Sequence, residues 1–208
     1  MPRLPQAAVA AVAFLAVAPF AGAEPYGGVE FPFGEKSFAD SVVSYTPGTN
    51  VSGESADATN VLGVPDGGSL GDFVSLGVGG SLVVEFTDNL LVDQDAVENG
   101  NDIYIFEIGP AVEGFFVEIS VDGVNYIDLG LVSGQPTGID IKPFITATPD
   151  AAFRFVRLTD DGVGNSTAPS GGADIDAIGA IGATAIPEPA TMAGLLGGAG
   201  LLALRRRR

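Results

Sequence analysis

Val117-Glu118-Ile119-Ser120-Val121, Asp122-Gly123, Val124-Asn125-Tyr126-Ile127 is the stretch that decides the fold class. Apolar and polar residues alternate on both sides of an Asp-Gly pair. A period of two places every second side chain on one face of a strand. Asp-Gly between two such runs supplies the turn of a β-hairpin. The segment therefore predicts two antiparallel strands joined by a tight connection.

The same grammar extends outward in both directions. Short β-rich runs at 42–46, 73–76, 81–87, 102–108, 115–121, 126–129, 138–141, 153–159 and 173–181 are separated by Gly, Pro, Asn and Asp. Many short strands at close spacing predict an all-β sandwich or barrel. Leu82, Val84 and Phe86 fall on one face of their strand, with Val83 and Glu85 on the other. Asp102-Ile103-Tyr104-Ile105-Phe106-Glu107 alternates less cleanly and reads as a central, well-buried strand. Phe153, Phe155 and Leu158 are set against Arg154 and Arg157, which suggests one wet face. No amphipathic helix of three turns and no internal repeat stands out between the two ends of the chain.

Those ends differ from the middle. Arg3, an apolar run from Ala7 to Phe20 and the small-residue triplet Ala21-Gly22-Ala23 have the three parts of a secretory signal peptide. Cleavage by signal peptidase after Ala23 predicts a mature start at Glu24. At the other end, Pro187-Glu188-Pro189 precedes an uncharged run to Leu204 and then Arg205 to Arg208. The prolines bar regular helix. The apolar run falls short of the roughly 20 residues of a full spanning helix. Four terminal arginines would stay on the cytoplasmic side of a bilayer.

This order of motif, apolar run and arginine cluster resembles the PEP-CTERM sorting signal, the tag read by exosortases of Gram-negative bacteria. The resemblance implies export, transient anchoring in the inner membrane, recognition at Pro187, Glu188 and Pro189, and delivery to the cell surface or extracellular matrix. A plain C-terminal membrane anchor is the alternative. The middle of the chain is similar to bacterial cell-surface domains with a galactose-binding-like, discoidin-type fold. The segments that carry this are Val42-Val43-Ser44-Tyr45-Thr46-Pro47-Gly48, Ala58 to Gly67, Val74 to Gly77, Gly79 to Phe86, Asp102 to Glu107, Val117 to Gly123 and Gly172-Ala173-Asp174-Ile175-Asp176-Ala177-Ile178-Gly179. That resemblance implies an antiparallel jelly-roll β-sandwich, in which carbohydrate binding and a structural calcium ion are common. The organisation expected is a signal peptide at 1–23, an extension at 24–39, the sandwich at 40–182, a linker with the motif at 183–189, a hydrophobic segment at 190–204 and the arginine cluster at 205–208.

Composition narrows the chemistry. The full chain has a formal charge of −17. Between the two signals, four basic residues (Lys36, Lys142, Arg154 and Arg157) stand against twenty-five acidic ones, a charge of about −21. Such a surface repels nucleic acid and anionic lipid. The chain has no cysteine, histidine or tryptophan. It thus lacks disulfides, His-dependent nucleophilic triads and His-ligated zinc.

Carboxylates are the remaining chemistry. Asp160 and Asp161, with Asp174 and Asp176, offer hard oxygen ligands for calcium if their strand ends converge. Asp174-Ile175-Asp176 would put two carboxylates on one side of a strand, where a cation, or Arg154 or Arg157, would have to neutralise them. Asp93, Asp95 and Asp102, with Glu98, Asn99 and Asn101 beside them, form a weaker candidate without EF-hand spacing. Solvated loops or turn caps would use the same residues. Glu85, Glu107 and Glu118 could supply a carboxylate pair for glycoside hydrolysis, and Phe115, Phe116 and Tyr126 could line a binding face. With no catalytic motif, the leading expectation is a non-catalytic structural or adhesive protein of a polysaccharide matrix. A module that binds extracellular polysaccharide comes next, and a carboxylate-dependent glycosidase third.

Overall fold

A computed structural model describes residues 22–94, 100–164 and 167–186. Thirteen strands account for the regular structure among them. These are β1 (Glu24–Tyr26), β2 (Val29–Phe31), β3 (Ser41–Thr46), β4 (Val74–Ser75), β5 (Ser81–Glu85), β6 (Asn89–Leu91) and β7 (Ile103–Glu107). They continue with β8 (Gly114–Ser120), β9 (Tyr126–Ser133), β10 (Thr137–Ile139), β11 (Phe155–Asp160), β12 (Asp174–Ala180) and β13 (Ala183–Ala185). Short 3-10 turns are the only helical pieces among the described residues.

Two sheets carry the fold. One has the order β3-β5-β11-β8-β9 and the other β10-β7-β12-β4, all antiparallel. Both point apolar side chains into one core. Leu82, Val84, Val117, Ile119, Val156 and Leu158 from the first sheet meet Val74, Ile103, Ile105, Ile175 and Ile178 from the second. This is a β-sandwich, with two layers each hydrophobic on the face turned to the other. The alternation read at Leu82, Val84 and Phe86 holds, since all three are fully buried. So does the central strand, because β7 lies inside its sheet between β10 and β12.

Three readings shift. The Asp122-Gly123 hairpin has a five-residue connection, because Ser120 pairs with Tyr126 and residues 121–125 leave the ladder. Asp122 stabilises that larger loop itself. Its Oδ1 accepts the Val124 and Asn125 N–H groups, each at 2.8 Å. These bonds hold the carboxyl well below the usual range. The partner strand β9 continues past Gly130, where the sequence suggested a break. Gly130 instead sits at a bulge opposite Val117, and its N–H bonds to Asp128 Oδ1 at 2.8 Å. In β11 the wet face carries Phe155 with Arg157, while Val156 and Leu158 point inward. Phe153 is buried separately, by a bridge to Leu91. The apolar pattern therefore changes phase between residues 153 and 156.

Four short strands were not foreseen. β6 pairs with β13, and the β1–β2 hairpin lies in the stretch expected as an extension. The hairpin feeds a second apolar cluster, in which Phe31, Phe38, Phe106, Ala177 and Ile181 pack together. The rings of Phe31 and Phe38 stand 4.5 Å apart. Gly179 makes room for them, because a Cβ there would lie 2.5 Å from Phe31 and 2.8 Å from Phe38. The compact unit as a whole runs from Ala21 to Pro187.

Candidate functional site

The four aspartates proposed for calcium are placed by two strands. Asp160 ends β11 and is buried. Its Oδ1 accepts the N–H groups of Gly79 at 2.8 Å and Gly162 at 2.9 Å, and its Oδ2 accepts Ala173 N–H at 3.0 Å. One side chain thus ties three loop segments to the end of a strand. Gly172 permits this approach. It has a φ of +70°, and a Cβ there would meet Asp160 Oδ2 at 2.7 Å. Asp161 turns elsewhere and accepts Val163 N–H at 2.7 Å.

Asp174 and Asp176 do not act as a like-sided pair. A register shift between Ile175 and Ala177 interrupts β12 where the two carboxylates would have aligned. Asp174 Oδ1 accepts the Ser75 hydroxyl in β4. Asp176 accepts Asp66 N–H at 3.3 Å and Gly67 N–H at 3.2 Å. Burial pushes both carboxyls up to about 6, against hydrogen bonds that work the other way. Neither arginine neutralises them. Arg154 pairs with Glu85 at 3.4 Å. Arg157 makes a two-pronged bond to Glu118 and lies 4.0 Å from the centre of the Tyr126 ring.

Calcium wants six to eight oxygens around one point. Among the described residues, no three acidic side chains come together in that way. Asp160 and Asp176 already spend their oxygens on backbone N–H groups. The donor set does not fit the ion. The weaker candidates divide similarly. Buried Asp102 accepts Gln94 N–H at 3.0 Å and Ile141 N–H at 3.1 Å. It clasps the loop ahead of β7, and burial raises its carboxyl above the usual range. Asp93 is half-buried nearby. Asp95 lies outside the described residues, as do Ala21 of the cleavage site and the Pro187, Glu188 and Pro189 motif. Ala23 is exposed ahead of β1.

Two clefts lined by described residues offer other sites. The larger, of about 630 Å³, is lined by Asp66, Gly67, Glu107, Gly109, Gln135 and Asp176 among others. Glu107 is its unusual member. It shares strand parity with the core residues Ile103 and Ile105. It is only 1% exposed, and neither carboxyl oxygen makes a hydrogen bond of good geometry. Burial pushes it up to about 8. Glu113 and Asp174 add repulsion, which the nearby Gln135 amide and Glu113 backbone only partly offset. In the sequence, Glu107 is one of three glutamates within predicted strands. The available signal was a charge at the inward parity of an otherwise apolar strand. The other two, Glu85 and Glu118, are held in ion pairs with arginines.

The smaller cleft, of about 360 Å³, includes Glu113, Leu131, Ser133, Asp161 and Val163. Beside it, Phe116 and Leu131 are cross-strand partners and both exposed. Of the aromatics named from sequence, Phe115 is buried in the core, Phe116 faces out and Tyr126 is covered by Arg157.

No protein-family model and no curated protein sequence matches the chain. Among solved structures, the C-terminal domain of a chitobiase from Bacteroides fragilis is similar over 74% of this chain and 97% of that domain, with 17% identity and a TM-score of 0.43. A likeness of that degree places this chain in no family.

Proposed function

We propose that the chain is an exported, non-catalytic jelly-roll protein, sorted through the PEP-CTERM and exosortase route to the surface or polysaccharide matrix of a Gram-negative bacterium, with a structural or adhesive role there. What supports the reading is the sequence at the two ends: Ala21-Gly22-Ala23 follows an apolar run, Pro187-Glu188-Pro189 precedes another, and every strand of the sandwich, from Glu24–Tyr26 to Ala183–Ala185, lies between them. Trimming there removes five of the nine basic residues and leaves an acidic, cysteine-free sandwich. The ion pairs at Glu85 and Glu118 favour a non-catalytic role, since each carboxylate is already engaged by an arginine. The test is to express the chain in a host that carries an exosortase. Replacing Pro187, Glu188 and Pro189 by alanine should shift it from the extracellular fraction to the membrane. Equal release of both forms would end this reading.

A second reading, a carbohydrate-binding module, is favoured by the smaller cleft. Exposed Phe116 and Leu131 sit beside it, and Glu113, Asp161 and Ser133 supply polar groups within it. Small-molecule sites combine an apolar surface with a few oriented polar groups in this way. A glycan array that includes the host exopolysaccharide tests it, and an empty array would sink it.

A further inference from the structure

A buried carboxyl with no partner needs a cation, a proton or a hydrogen-bond donor to offset its desolvation. Glu107 is buried, and neither of its oxygens makes a well-formed hydrogen bond, although the Gln135 amide and the Glu113 backbone N–H lie close enough to favour its charged form slightly. It nevertheless lines an open cleft. The cleft's other charged residues, Asp66 and Asp176, are also acidic, and no basic residue lines it. Gly109 lies beside two carboxyl groups. A Cβ there would stand 3.9 Å from Glu107 Oε1 and 3.8 Å from Asp174 Oδ2.

We propose that this cleft binds a primary ammonium group, with Glu107 as its principal anchor and Asp66 at the rim. An ammonium carries three N–H donors and one charge. Two donors suit the unused oxygens of Glu107, and the third can reach the rim. A divalent metal is the poorer match, because it requires many more oxygens than the cleft brings to one point. Asp176 contributes field rather than contact, since its oxygens hold the Asp66 and Gly67 N–H groups. The ligand can present its ammonium on an amino sugar or on a lysine side chain. The proposal does not depend on the route of export or on the smaller cleft.

Binding displaces the proton that Glu107 holds in the empty cleft, where Glu113 and Asp174 help burial to retain it. Titration calorimetry on the full chain at pH 7, in two buffers of different ionisation heat, reads this directly. Glucosamine and Nα-acetyl-lysine amide are the ammonium probes, with N-acetylglucosamine and calcium chloride as controls. We expect at least one ammonium probe to bind with release of close to one proton, and which one binds identifies the carrier. Glu107→Gln should weaken that binding at least tenfold while the protein retains its circular dichroism. Asp66→Asn should weaken it severalfold. The proposal is overturned if neither ammonium probe binds, if N-acetylglucosamine binds as well as glucosamine, if calcium binds in their place, or if Glu107→Gln leaves affinity unchanged.

Discussion

Glu107→Gln should change how the stability of this protein responds to pH. The Glu107 carboxyl titrates at about 8 in the folded chain, against an ordinary value of 4.5. The folded state therefore holds its proton where the unfolded state has released it. Stability from this group is fully present below about 4.5 and is lost as pH rises through about 8. The loss is about 1.4 kcal/mol per pH unit, which amounts to about 3 kcal/mol at pH 7 and about 5 kcal/mol by the end. Glutamine has nearly the same shape and no charge, so the variant escapes this loss. It carries its own cost of roughly 1–3 kcal/mol for an amide without partners, nearly independent of pH. The variant should thus be the less stable protein at pH 5 and the more stable one at pH 8.5. Urea unfolding from pH 5 to pH 9 measures the crossing, followed by circular dichroism because the chain has no tryptophan. Two stability curves that run parallel across that range would refute the reasoning.

Asp160→Ala strands the N–H groups of Gly79, Gly162 and Ala173 and should cost roughly 3 kcal/mol in urea unfolding. Gly172→Ala meets both a left-handed φ and the Asp160 carboxyl, so a loss of at least about 2 kcal/mol is expected by the same assay. The Glu118–Arg157 pair is partly exposed. Arg157→Ala should cost about 1 kcal/mol, shrinking as salt is added. EDTA should leave the melting midpoint unchanged, because Asp160 and Asp176 are occupied by backbone donors and Asp174 by the Ser75 hydroxyl; a fall in the midpoint would show a bound ion.

The strands that alternate over five residues or more could be read from sequence because a single face settles them. Leu82, Val84 and Phe86 are the clearest case. β6 and β13 could not be read in this way. Each has three residues, and its main ladder partner is the other short piece, more than ninety positions away. The bulge at Asp176 was hidden for a related reason. Asp174-Ile175-Asp176 looks like regular strand, and the extra residue appears only when β12 is laid against β7. The candidate site divides in the same manner. The clustering of Asp160 and Asp102 with other acids was visible in the sequence. That they bond to backbone depends on the loops that fold over them. Glu107 was visible as a charge in an apolar strand, but that Arg154 and Arg157 pair with Glu85 and Glu118 instead follows from the fold, which puts Arg157 in β11 of the other sheet and Arg154 just ahead of that strand.

Export with trimming at both ends is the central proposal for this sandwich. Intact-mass analysis of the extracellular product from an exosortase-bearing host tests this most directly. The account predicts a chain that begins at Glu24 and ends at or near Pro187-Glu188-Pro189, without Arg205 to Arg208. A product that keeps Met1 and all four terminal arginines, recovered inside the cell, would contradict it.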